Sequence, residues 1–224
     1  MFSGGVDSTF TAILLAKKFD KVHLLTFNNG LSYSRPSKKN LAILIKKFGK
    51  NKFHHEIINF FGLWRRLQIR NIKVFKKYPT TKLMCLSCRM AMAALTIIYN
   101  KKHNIKHAAE GIGKDQSYNN DQNTTYIKQV ESLFNLYDIK YSLPSFNYTF
   151  EEKIKTLKEA GINYKLFVKL PKTRGIYLDG QPFCFIGNIL YPFWYFSNPK
   201  SKVVNRYLKE IKSFLMSYID SKSD

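Results

Sequence analysis

Along the 224 residues the spacing of apolar positions changes again and again. Over 8–18, STFTAILLAKK, apolar residues recur at three- and four-residue intervals, and the run closes on two lysines. This predicts a helix with cations at its negative end. KVHLLTF at 21–27 is a β-rich run closed by Asn-Asn-Gly, which predicts a strand ending in a turn. The alternation continues with a basic helix over roughly 35–49, a strand at 53–59, helical stretches across 61–77 and 86–101, and a short strand near 106–111. Such an order predicts an α/β fold with a doubly wound parallel sheet. GKDQSYNNDQNT at 113–124 reads as a polar surface loop before another helix. KYSLP at 140–144 reads as a strand stopped by Pro144. Thr149 and Glu152 have capping-box spacing for a helix that Gly161 ends. The stretch 162–200 is aromatic with no clear period, and a last amphipathic helix is expected over about 202–219. No repeat or linker divides the chain, so one main domain over 1–200, followed by a C-terminal helix and polar tail over 201–224, is the expected organisation.

Composition narrows the class. Hydrophobic residues at 45%, with 18 Phe and 14 Tyr, exclude a disordered chain. The 37 Lys and Arg stand against 15 Asp and Glu, a net charge of +22 that points to a polyanionic partner such as tRNA or another RNA. Part of that excess is what an AT-rich coding sequence would produce. The start carries no charged-then-apolar leader, and the apolar stretch at 183–196 is too short to span a bilayer, so the expectation is a cytoplasmic protein with no membrane contact. Three cysteines do not make a disulfide framework; they suggest a thiolate site or buried thiols.

The opening MFSGGVDST concentrates small and hydroxyl residues where a strand should pass into a helix. A loop there aims backbone N–H groups and the positive end of the helix at one spot. Glycines let an anion approach and serines add donors, so the spot suits phosphate. It is not a Walker loop, since no lysine lies within it. Ser3-Gly4-Gly5-Val6-Asp7-Ser8-Thr9 instead resembles the SGGxDS loop of the PP-loop ATP pyrophosphatases. That resemblance implies an adenine-nucleotide α-hydrolase-like fold. It also implies use of ATP to adenylate a carbonyl-type oxygen with release of pyrophosphate, and displacement of AMP by a nucleophile. By the same resemblance Ser3, Gly4, Gly5, Val6, Asp7, Ser8 and Thr9 hold the pyrophosphate, and Asp7 helps organise magnesium. The strand that should precede the loop is reduced to Met1 and Phe2; either the sheet starts with a stub or the chain begins upstream.

Met84-Cys85-Leu86-Ser87-Cys88-Arg89 contains a CxxC pair read as lying just before a helix, where the dipole favours thiolate. Alone it fits a metal site or a redox dithiol. Cys184 lies between two phenylalanines, a setting equally suited to a buried thiol. The order of loop, CxxC and one distant cysteine resembles the iron–sulfur-dependent tRNA thiolation branch of the superfamily. This implies a [4Fe-4S] cluster held by Cys85, Cys88 and Cys184 and sulfur transfer to a tRNA base, the leading expectation, with the sulfur donor open. FSGGVDST and VHLLTF also resemble 7-cyano-7-deazaguanine synthase, which amidates a small carboxylate with ammonia and carries zinc on four cysteines. Only one pair is present here, so that zinc site cannot be intact, and zinc stands as the alternative metal. A non-catalytic RNA-binding protein on the same fold is a third reading, opposed by the intact aspartate and serines.

Further candidates are weaker signals. LWRRLQIRNIKVFKK at 63–77 interleaves cations with apolar and aromatic residues, which suits phosphate contact and base stacking or a solvated helix face. AAEGIGKDQ at 108–116 resembles the family segment that lines the nucleotide, making Gly111, Lys114, Asp115 and Gln116 candidates. Asn28, at the end of the second strand, falls where the fold puts adenine or ribose. Arg89 reads as a partner of the cysteine site or of RNA phosphate, or as a plain surface residue. His54 and His55 read as packed or exposed strand residues rather than catalytic ones. A homodimer is compatible with the sequence, which leaves the oligomeric state open.

Overall fold

The computed structural model describes residues 1–30, 32–33, 35–77, 82–114, 124–164, 166–168, 176–177, 183–184 and 201–222. Along the chain run α1 (Val6–Lys18), β1 (Val22–Asn28), β2 (Ser32–Tyr33), α2 (Arg35–Phe48) and β3 (Phe53–Asn59). Then come α3 (Phe61–Lys77), α4 (Lys82–Lys102), β4 (His107–Ala109), α5 (Thr124–Asn135), β5 (Lys140–Ser142) and α6 (Phe150–Glu159). Three short strands, β6 (Leu166–Val168), β7 (Ile176–Tyr177) and β8 (Phe183–Cys184), precede the last helix, Ser201–Asp220. The class is α/β with parallel strands, as the alternation required: β1 and β3 pair in parallel register, Val22 opposite Phe53 through Asn28 opposite Asn59. The irregular stretch after 162 adds antiparallel pairs that periodicity did not show, β2 with β8 and β6 with β7.

The chain forms two compact units. The first holds Met1–Asn59, Ala109–Asp115 and Leu143–Cys184. Its core is built from one face of α1 (Val6, Phe10, Ile13), β1 (Val22, Leu24), Leu44 of α2, Phe53 of β3 and Leu157 of α6, with Phe2 joining them. Burial of this apolar face, rather than helix propensity alone, fixes α1 at the loop.

Met1 and Phe2 lie beside β1 and β4. The Phe2 amide donates to the Leu25 carbonyl of β1 at 2.7 Å, and the Met1 nitrogen donates to the Ala109 carbonyl at the end of β4 at 2.7 Å. Two residues thus sit between two strands with one bond to each. Thr26 of β1 adds a side-chain bond, its hydroxyl donating to the Phe2 carbonyl at 2.7 Å. That hydroxyl spends its only proton there, so the 2.8 Å contact with His55 Nε2 requires the imidazole to donate. His55 packs edge-on against the Phe2 ring. Burial lowers its pKa below 6.5, with Lys38 and His54 adding to the effect, which keeps the ring neutral. Both histidines are strand residues, as their sequence context suggested.

The second unit contains Phe60–Ala108, Gln116–Ser142 and Phe185–Asp224. Leu67 of α3, Leu83, Leu86, Met90 and Ile97 of α4, Val130 and Phe134 of α5, and Leu208 and Leu215 of the last helix are fully buried. Tyr207 of the last helix donates to the Leu83 carbonyl at 3.0 Å. Within α4, Leu83–Lys102 is long and apolar enough to cross a membrane by length and composition. With 61% of that window buried, it is the central helix of this unit.

Candidate functional site

The loop at Ser3–Gly5 turns the chain from the stub into α1, and its form depends on glycine at one position above all. Gly4 has φ +81, and a Cβ there would lie 2.4 Å from the Ser37 nitrogen at the start of α2. Both conditions exclude a side chain. Gly5 is the N-cap of α1 and contributes no side-chain hydrogen bond. The first turn therefore presents its amides without the usual Ser, Thr or Asp cap, as anion binding at a helix terminus requires. Ser3 and Ser8 sit together, their hydroxyls 3.1 Å apart, with Ser8 Oγ donating to the Gly5 carbonyl at 3.1 Å. Thr9 is fully buried.

Three ties from distant parts of the chain hold this loop. The Gly4 carbonyl accepts from Asn40 Nδ2 of α2 at 2.7 Å and from the Tyr164 hydroxyl at 2.9 Å. Asn40 Nδ2 also donates to that hydroxyl at 2.8 Å. Burial pushes the Tyr164 phenol up to about 12, so it keeps its proton. The second tie is an ion pair: Lys153 of α6, wholly buried, reaches Asp7 Oδ1 at 2.8 Å. The third is Gly111, where a Cβ would stand 2.5 Å from the Ser8 nitrogen, so this glycine lets the segment after β4 lie directly on the loop backbone. Beside it Glu110 is buried, making Asp7 and Glu110 the buried carboxylates among the described residues.

Other expected residues fall elsewhere. Lys114 is exposed, and what ties it locally is its amide, donating to the Phe146 carbonyl at 3.1 Å. Asp115 and Gln116 lie outside the described residues. Asn28 uses its side-chain oxygen to accept from the Gly30 amide at 2.9 Å, closing the turn after β1.

The cysteines need a correction. The helix starts at Lys82, so Cys85 and Cys88 lie inside α4, at its fourth and seventh residues, and Cys88 is beyond the first turn where the dipole acts. Both are half-buried in the second unit. Between them Ser87 is fully buried; its hydroxyl donates to the Met84 carbonyl and accepts from Gln68 of α3 at 3.2 Å. Arg89 lies over the buried Tyr126 ring at 5.1 Å, a packed cation rather than one at the surface. Cys184 belongs to the first unit and is placed by its backbone, opposite Ser32; its side chain lies outside what is described. Among the described residues no group of three or more His, Cys, Asp or Glu could hold a metal ion. Two thiols one helical turn apart are by themselves fewer donors than a three-cysteine cluster or tetrahedral zinc needs.

A glycine and hydroxyl loop opening an uncapped helix, beside a parallel strand pair, defines a PP-loop enzyme of the ATP pyrophosphatase type. The family model for Queuosine biosynthesis protein QueC matches residues 1–182, and the chain belongs to that family. Among solved structures, the crystal structure of a predicted subunit of tRNA methyltransferase from Methanocaldococcus jannaschii is similar, with a TM-score of 0.51 and 20% identity. The alignment covers 86% of this chain and 85% of that one, a likeness of fold. No curated protein sequence matches.

Proposed function

We propose that the protein is a cytoplasmic enzyme that uses ATP to adenylate a small heteroaromatic carboxylate and lets ammonia displace AMP, on the way to 7-cyano-7-deazaguanine. The observation that carries this reading is the QueC match over residues 1–182, which includes the loop and each of its three ties. It favours amidation over the sulfur transfer suggested by cysteine order.

A carboxylate oxygen attacks the α-phosphorus and pyrophosphate leaves; ammonia then attacks the acyl carbon and AMP leaves with that oxygen. Turning the resulting amide into a nitrile removes the second oxygen, so the chemistry demands two activations per nitrile. The α1 amides with Ser3 and Ser8 take the pyrophosphate charge. Lys153 acts as a positioning residue that fixes Asp7. A magnesium ion carried in on the phosphates needs only one or two protein carboxylates. Asp7 and Glu110 fit that need, and when bound the ion offsets phosphate charge.

The test is incubation of the purified protein with ATP, magnesium, ammonium and the corresponding 7-carboxylate, with pyrophosphate, AMP and nitrile measured together. Two pyrophosphates per nitrile, lost in Asp7→Ala, is the expected result. Pyrophosphate release that ignores the carboxylate, or that depends on a sulfur donor, would overturn it.

A further inference from the structure

The chemistry above takes small molecules and leaves most of the +22 charge unused. That charge is not evenly spread: no acidic residue occurs between Glu56 and Glu110, a stretch that includes all of α3 and α4. Coding bias accounts for lysines, yet α3 carries Arg65, Arg66 and Arg70, three of only seven arginines in the chain. Arg65, Arg66 and Arg70 are all exposed, and Arg70 lies over the Phe214 ring at 5.4 Å.

Apolar groups share this surface. Leu63 and Leu67 turn into the core, whereas Phe61, Ile69 and Ile72 stand 46%, 56% and 53% exposed. Spacing of four, four and three places Phe61, Arg65, Ile69 and Ile72 along one side of the helix. At its start the Phe61 and Trp64 rings are stacked, 26° apart in plane.

From these observations we infer that the exposed side of α3 is a docking surface for RNA with unpaired bases. Arg65 and Arg66 contact phosphates, and the Phe61–Trp64 pair offers a ring face to a splayed base. Charge complementarity selects this occupant. A second copy would set the same acid-free helix against itself, cation facing cation, whereas a polyanion gains at each arginine.

The probe is a fluorescein-labelled RNA stem-loop with a seven-nucleotide loop, titrated by anisotropy without ATP or carboxylate over a salt series. The reading therefore stands or falls separately from the carboxylate chemistry. The double change Arg65→Gln with Arg66→Gln should weaken binding at least roughly tenfold and lower the slope of log K against log salt by about 2. Phe61→Ala should weaken the stem-loop by about tenfold while leaving its fully paired counterpart unchanged. These side chains are exposed, and circular dichroism checks that the variants are folded. Unchanged affinity in the arginine variant would overturn the surface. Equal binding of duplex DNA would overturn the choice of RNA with unpaired bases, and concentration-dependent dimerisation abolished by Ile69→Lys would hand the surface to a second copy.

Discussion

Asp7 and Lys153 show how one side-chain contact separates stability from chemistry. Removing one partner of a buried ion pair leaves the other charged and stranded, a loss of about 3–5 kcal/mol. Lys153→Met should therefore lower the unfolding free energy by that order in denaturant titration. The double variant with Asp7→Asn should regain much of it, yet neither should release pyrophosphate at the wild-type rate. Full activity in Lys153→Met would remove the positioning role. Glycine makes a similar distinction. Gly161→Ala meets only ordinary contact with Ile43 and should cost the left-handed strain alone, about 1–2 kcal/mol. Gly4→Ala adds overlap with the α2 backbone, and Gly111→Ala, with no such strain, pushes on Ser8. Both should impair ATP binding, measured by calorimetry, far beyond what Gly161→Ala does.

Among the elements, those with strong local signals were legible in sequence. The spans 53–59 and 61–77 return as β3 and α3 without shift. Thr149 and Glu152 make the reciprocal capping bonds that their spacing implied, and Gly161 at φ +81 follows the end of α6. α4 begins four residues before the span its periodicity predicts, because its first turn, Lys82–Cys85, carries no acidic residue to announce it. The loop itself was legible from seven residues. Asn40, Lys153 and Tyr164 were not, because nothing local distinguishes a surface lysine from one that closes an ion pair 146 residues away. The sheet carries its own pH signal. His55 donates from β3 to Thr26 of β1 and has a pKa below 6.5, so the unfolded chain takes up the proton more readily. Stability from this group is present above pH 6.5 and is lost as pH falls below it. The thermal midpoint should drop as pH falls below 6.5, less steeply in His55→Gln; equal slopes would exclude His55 as the cause.

For the whole molecule, the cysteines decide between the two chemistries the superfamily offers. Family membership favours amidation, so protein purified without oxygen should contain well under one iron and one acid-labile sulfide per chain, and Cys85→Ser should retain pyrophosphate release. Iron and sulfide near four each would restore the sulfur-transfer reading. Composition points to a polyanion, but it does not separate phosphate held in a loop from phosphate along a helix face. The two proposals divide the charge accordingly, the uncapped start of α1 for the first and the exposed side of α3 for the second.

The ties on the loop also set an order of events during synthesis. Gly4 waits on Tyr164, 160 residues later, and Asp7 on Lys153. Until that downstream stretch has been made, a growing chain carries the phosphate-binding sequence but not its working shape, because closing so long a span must come before the contacts that reward it. The tied form of the loop is thus a late achievement of folding, because a nascent chain of only the first hundred residues lacks both Lys153 and Tyr164.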